Sequence, residues 1–296
     1  MLGFFEVRTD LALEARENLD RSREELNGIQ IQEEEDSQNN IHTTTVTIKT
    51  ENSAKAIGKP IGCYVTMEVP DMGSEDEGYH REISEVLAQR LKSLRKNRVG
   101  SVLLVGLGNR NVTPDALGPL VMDNLKITRH LFREFGLTEE GKSPVSALVP
   151  GVMAQTGMET SEILKGIVAE TRPDVVIAID ALAARSTRRL NRTIQITDTG
   201  IHPGSGVGNH RIGLTEENLQ TKVIGIGVPT VVDAATIVHD SMAHLLDALE
   251  EAERKEFLEE MISPHLHTMF VTPKDVDETV KYLSFTISEG LNLAFC

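Results

Sequence analysis

Five short runs of apolar and β-branched residues, separated by segments of helical period, constrain this chain more than anything else in it. They are SVLLVGLG (101–108), VSALVP (145–150), DVVIAID (174–180), TIQITD (193–198) and KVIGIGV (222–228). A strand with one wet face alternates apolar and polar residues, whereas a near-continuous apolar run belongs to a strand covered on both faces. Between and after these runs, residues 115–135, 160–170, 233–252 and 273–293 place their apolar side chains at helical spacing, as Leu117, Val121, Leu125 and Leu131 do. Buried strands separated by helices predict an α/β fold: a mostly parallel twisted sheet with helices on both faces. Upstream, TTTVTIKT (43–50) and GCYVTMEV (62–69) alternate and are rich in β-branched residues, so β-strands are added on the N-terminal side. Helices are expected over Leu11 to Leu26 and over 75–97, a last short strand over 269–272, and a solvated loop over Glu33 to Asn40 (EEEDSQNN).

Composition excludes several classes of partner. The 296 residues carry 30 Lys and Arg against 45 Asp and Glu, a formal charge of −15. Such a chain repels phosphate backbones, and with no Trp, three Tyr and eight Phe it has little to stack on bases. Direct nucleic-acid binding is therefore not expected. Cys63 lies in a strand-like run and Cys296 is the last residue, which makes neither a disulfide framework nor a four-ligand zinc site. A reducing, cytoplasmic setting is expected. No basic leader precedes an apolar segment and no run approaches 18 apolar residues, so neither secretion nor membrane insertion is expected.

Ligands of open α/β sheets bind outside the carboxyl ends of the strands, which selects three loops. The first is Gly106-Leu107-Gly108-Asn109 through Thr113-Pro114-Asp115. It is no dinucleotide turn, because Asn111 stands where a third glycine is needed and no acid ends the next strand. Asp115 reads either as a helix cap or as a functional acid. The second begins at Asp180, an acid at the end of the buried run DVVIA, which is costly unless it has partners or a task. The third, Asp198 to His210, holds four glycines and two histidines without a P-loop lysine. It reads as a surface loop or as a substrate-facing wall with His202 as a base or ligand. Two acids at neighbouring strand ends can hydrolyse a peptide, one donating a proton and the other accepting one. No Gly-x-Ser-x-Gly elbow, His-Glu-x-x-His helix or accessible cysteine offers another route.

The segments LVGLGNRNVTPDALGPLVMDNLKITRHLF, PVSALVPGVMAQTGMETSEIL, IAIDALAARS, ITDTGIHPGSGVGNHR, GVPTVVDAATI and MFVTPKDVD resemble those of the germination proteases of endospore-forming bacteria. The resemblance runs from about Val7 to the C-terminus. It implies an atypical aspartic endopeptidase that degrades small acid-soluble spore proteins during germination, with its acid pair on Asp115 and Asp180. Gly106, Gly108, Asn109, Thr113 and His202 would support the cleft. The implied fold is that of the hydrogenase maturation endopeptidases, which use similar acids with a histidine to bind a metal. No cofactor is implied here, and a divalent metal is the alternative. The resemblance also implies a zymogen: a propeptide at 1–10, self-cleaved between Asp10 and Leu11, before a single α/β peptidase domain at 11–296. A homotetramer in the forespore and spore core is implied as well. Two other readings are a metal-dependent maturation peptidase trimming one partner protein, and a catalytically silent peptide-binding module.

Overall fold

The computed structural model of the chain describes residues 9–17, 28–70, 72, 76–95, 100–136, 141–204, 211–238, 241, 266 and 269–296. Among them, nine strands form one sheet. They are β1 (Ile29–Asp36), β2 (Ile41–Ile48), β3 (Gly62–Glu68), β4 (Val102–Gly106), β5 (Val145–Leu148), β6 (Val175–Ala184), β7 (Thr193–Thr197), β8 (Lys222–Asp233) and β9 (Phe270–Val271). The order is β1-β2-β3-β7-β8-β6-β4-β5, with β9 paired to the far end of β8.

The sheet is mixed, not mostly parallel. Of eight pairings among the described residues, β4–β5, β4–β6 and β6–β8 are parallel and the other five antiparallel. The deciding connection lies between β6 and β7. A strand parallel to the one before it needs a crossover of about a dozen or more residues, but only residues 185–192, with a 3₁₀ turn at Thr187–Arg189, link β6 to β7 on the far side of β8. β7 therefore returns antiparallel and lets the N-terminal strands β1 to β3 extend the sheet as a meander.

Two layers cover the sheet. On one face the helix Val276–Phe295 packs against the helices Glu77–Leu94 and Leu117–Asp123. Its Val280, Leu283, Ile287 and Leu291 recur at helical spacing and are buried with Ile83, Leu87 and Leu91. Each such side chain contributes about 1.5–3 kcal/mol relative to exposure. On the other face Leu164 and Val168 of the helix Thr160–Thr171 pack with Leu103, Val105, Val176 and Leu11. No helix among the described residues is long and apolar enough to cross a membrane.

Three further expectations are corrected. Glu33–Asp36 belongs to β1, where each acid pairs with a residue of β2, as Glu33 does with Thr44; an acidic edge strand discourages pairing with another chain. The helix expected over 115–135 is a 3₁₀ turn followed by two helices, Leu117–Asp123 and Arg129–Phe135. Asn292 causes the break: its amide donates to Asn124 O (3.1 Å) and its Oδ1 accepts from Lys126 N (2.9 Å), satisfying groups that a continuous helix would pair internally. β6 does not end at Asp180 but continues to Ala184, because β8 offers partners up to Val232 past a register shift at Leu182 and Ala183. The described part of the first helix is Ala12–Glu17; the rest of the expectation to Leu26, and most of that over 233–252, lies outside the described residues.

Candidate active site

Glycines allow the first loop to fold back on itself. A Cβ on Gly106 would stand 2.3 Å from Gly118 O, and one on Gly118 would stand 2.3 Å from Leu107 O and 2.6 Å from Ile179 O. The two glycines thus let the N-terminus of the helix Leu117–Asp123 rest directly on the ends of β4 and β6. Gly108 has φ +106°, a backbone region that side chains disfavour, and sits against the carbonyl of Asp115. The next amide, Asn109 N–H, donates to Asp115 Oδ2 at 2.8 Å. Asn109 Oδ1 accepts from Asn111 N–H and from Gln155 Nε2, both at 3.1 Å, which holds the turn. Thr113 opens the 3₁₀ turn that carries Asp115, and Thr230 Oγ1 of β8 donates to Pro114 O at 2.6 Å. Asp115 is thus fixed from three elements.

Asp180 comes from within β6, with a 5% exposed side chain. Both acids line one cavity of about 370 Å³, together with Asp10, Arg211 and Thr230. Burial, then the charges of Asp115 and Asp10, hold the Asp180 carboxyl well above the usual carboxylate range, against the opposing effects of the Ala181 N–H and Arg211. Burial also raises Asp115, while the Asn109 N–H and Arg211 act against it. Burial opposes ionisation of both acids, and at Asp180 the charges of Asp115 and Asp10 oppose it further. A buried acid with a neighbour of its own sign is how one carboxyl stays neutral beside an ionised one.

That elevation has a consequence for stability. Between the ordinary carboxylate range and the raised Asp180 value, the unfolded chain has lost this proton and the folded chain has kept it. Stability must therefore fall as pH rises through that window. In thermal unfolding across a pH series, Asp180→Asn should flatten the fall and raise stability at neutral pH by about 1 kcal/mol. A variant with the wild-type pH slope would mean that Asp180 ionises normally.

The other expected residues are distributed as follows. His202 lines a smaller recess of about 60 Å³ with Lys59, Tyr64 and Gln195, not the cavity of the two acids. Burial, then the Lys59 charge, lowers its pKa. Asp10 lines both spaces. Residues 205–210 of the glycine loop lie outside the described residues. Cys63 is raised by burial and by the Asp198 charge, the wrong direction for a nucleophile. A larger hollow of about 810 Å³ around Arg185 to Arg189 holds neither aspartate. Sequence reasoning did not single out Arg211, Thr230, Lys59 or Gln195, although Arg211 ends the motif ITDTGIHPGSGVGNHR and Thr230 lies within GVPTVVDAATI. Among the described residues no three His, Cys, Asp or Glu side chains form a group that could hold a metal ion.

Comparison with known proteins finds similarity over nearly the whole chain. The pattern of the family described as germination protease matches residues 6–249. The chain is 47% identical to the germination protease of Caldanaerobacter subterraneus subsp. tengcongensis, over 97% of this chain and 94% of that protein. It is 42% identical to that of Clostridium perfringens, over 98% and 95% of the two chains. Against the germination protease of Bacillus cereus the identity is 42%, over 99% and 94%.

Proposed function

The chain belongs to the germination protease family, and from that premise we propose that it is an endopeptidase of spore germination in which Asp115 and Asp180 activate water. The observation that carries the reading is the meeting of two acids, 65 positions apart in sequence, in one cavity where burial opposes the ionisation of both and the charge of Asp115 opposes that of Asp180. Ionised Asp115 takes a proton from water as its oxygen adds to the peptide carbonyl carbon. Protonated Asp180 gives its proton to the departing amide nitrogen as the C–N bond breaks. The pair titrates as a unit, so its pH profile reports two macroscopic constants of the dyad.

The same reading names the substrates as small acid-soluble spore proteins. It makes the chain a zymogen whose residues 1–10 leave by self-cleavage after Asp10, and a homotetramer of the forespore and spore core. The GLGN turn followed by an acid, with a second acid on a later parallel strand, supports a kinship of fold with the hydrogenase maturation endopeptidases. The test is incubation of the purified chain with a small acid-soluble spore protein, with and without a chelator. The expected result is cleavage at equal rates in both arms. Loss of cleavage with chelator, restored by a divalent transition metal, would move the assignment to a metallopeptidase. Tight binding without cleavage by a chain lacking its first ten residues would make it a silent binding module.

A further inference from the structure

The stretch before the helix Ala12–Glu17 is docked on the end of β6. Asp10 N–H donates to Ala183 O at 3.1 Å, and Ala183 N–H returns a bond to Asp10 Oδ2 at 2.9 Å. The acidic side chain is thus read by a backbone amide three residues past Asp180. Leu11 is fully buried among Leu103, Val105 and Leu182. Beyond it, Glu14 accepts from the backbone N–H groups of Arg185 (2.7 Å) and Ser186 (3.0 Å), while Arg189 grips Glu17 through both terminal nitrogens at 2.8 and 2.7 Å. The Asp10–Leu11 bond is therefore held on both sides.

Two side chains converge on its carbonyl oxygen. Lys59 Nζ donates to Asp10 O at 3.0 Å and Gln195 Nε2 donates to the same oxygen at 3.2 Å. Gln195 Oε1 also accepts from Ala12 N–H at 2.7 Å, so one amide grips the peptide groups on either side of Leu11. Lys59 reaches this place because the helix Glu51–Ile57 ends at Gly58 in the left-handed region, φ +71°, and the chain turns inward. Its other bond is to Thr9 O, at 3.3 Å. Lys59 is half-buried and desolvation lowers its pKa, so it is a costly tether: a neutral amide would hold a carbonyl without the desolvation of a charge. A cation aimed at a carbonyl oxygen has a larger effect where negative charge develops on that oxygen.

We propose that Lys59 and Gln195 are catalytic residues of the self-cleavage, holding the Asp10 carbonyl oxygen and stabilising the negative charge it acquires when water adds to the carbonyl carbon. This rests on reading Asp10–Leu11 as the processed bond and Asp115 with Asp180 as the acid pair. The water oxygen bonds to the Asp10 carbonyl carbon and its proton passes to Asp115. The carbonyl π pair moves onto the oxygen facing Lys59 and Gln195. On collapse that pair re-forms the C=O bond, the C–N bond breaks, and the Leu11 nitrogen takes the proton of Asp180. Departure of residues 1–10 then leaves Lys59, Gln195 and the Ala183 N–H facing the acidic residue of an incoming protein chain.

The experiment follows the unprocessed full-length chain by intact mass over time, with thermal unfolding as a check on folding. Wild type should convert to a species beginning at Leu11. Lys59→Met should slow this by about 10²- to 10³-fold and Gln195→Leu by about tenfold, and Lys59→Arg, which keeps the cation, should recover most of the rate. If Lys59→Met does not fold, Lys59→Arg and Gln195→Leu carry the comparison. Wild-type processing rates in folded Lys59→Met and Gln195→Leu, with Asp115→Asn inert, would overturn the oxyanion role and leave the acid pair standing. Lys59→Arg as slow as Lys59→Met would overturn it too. Processing of Asp115→Asn at the wild-type rate, or of wild type at another bond, would instead remove the reading beneath it.

Discussion

Asp115→Asn and Asp180→Asn are each expected to lower the rate of protein cleavage by about 10³-fold or more, in self-processing and on added spore protein alike. The two failures differ in cause. Asparagine at 115 cannot take a proton from water, and asparagine at 180 has no proton to give at useful acidity. With both acids acting on one water and one bond, as proposed, the double variant should be little worse than either single one. Their folding should also differ. Asp180 is the more deeply buried and the one whose ionisation its surroundings oppose most, so its replacement should raise the thermal midpoint. Asp115 keeps a bond from Asn109 N–H, and asparagine at that site retains an acceptor for it. Rates of product formation by mass spectrometry, beside unfolding curves, check both. A single variant that still cleaves at the wild-type rate would show that the pair is not the machinery.

Gly108→Ala should damage fold and activity together, at a residue with no functional group. Its φ of +106° costs an alanine about 1–3 kcal/mol. The added methyl would also stand 2.0 Å from the backbone oxygen of Asp115, which no rotamer change can relieve. The expected loss is about 3 kcal/mol of stability, with a fall of about 10²-fold in cleavage as the 3₁₀ turn moves Asp115 out of line. Gly58 is the control. Its φ is +71°, but nothing lies within 4 Å of a methyl added there, so Gly58→Ala should cost about 1 kcal/mol. Equal effects at the two positions would mean that close contact with Asp115 is unimportant.

Much of this site was legible because its constraints are local. A buried strand must read as an apolar run, so β4, β5, β6 and β8 could be placed from residue types alone. A chain that folds back on a strand end needs glycines, which marked Gly106 and Gly108. An acid beside a buried run needs a reason, which marked Asp180. The extra length of β6 was not legible: Ala181 to Ala184 suits a helix as well as a strand, and only the partner positions of β8 make it a strand. The break after Asp123 was equally hidden, since the groups that stabilise it belong to Asn292, 168 positions away from Asn124.

What the amino-acid order determined by itself is the set of elements and the candidate site residues: buried strands, intervening helices, a glycine turn and two acids, all consequences of side-chain size, polarity and backbone freedom within a few residues. What only the tertiary structure decided is direction and neighbourhood. The sheet is mixed because the link from β6 to β7 is too short to cross over, which is a matter of reach. The acids share a cavity with Asp10, and Lys59 and Gln195 meet on its carbonyl, because strands distant in the chain lie side by side. Proton affinity and hydrogen bonding depend on distance in space, and that distance exists only once the sheet has formed.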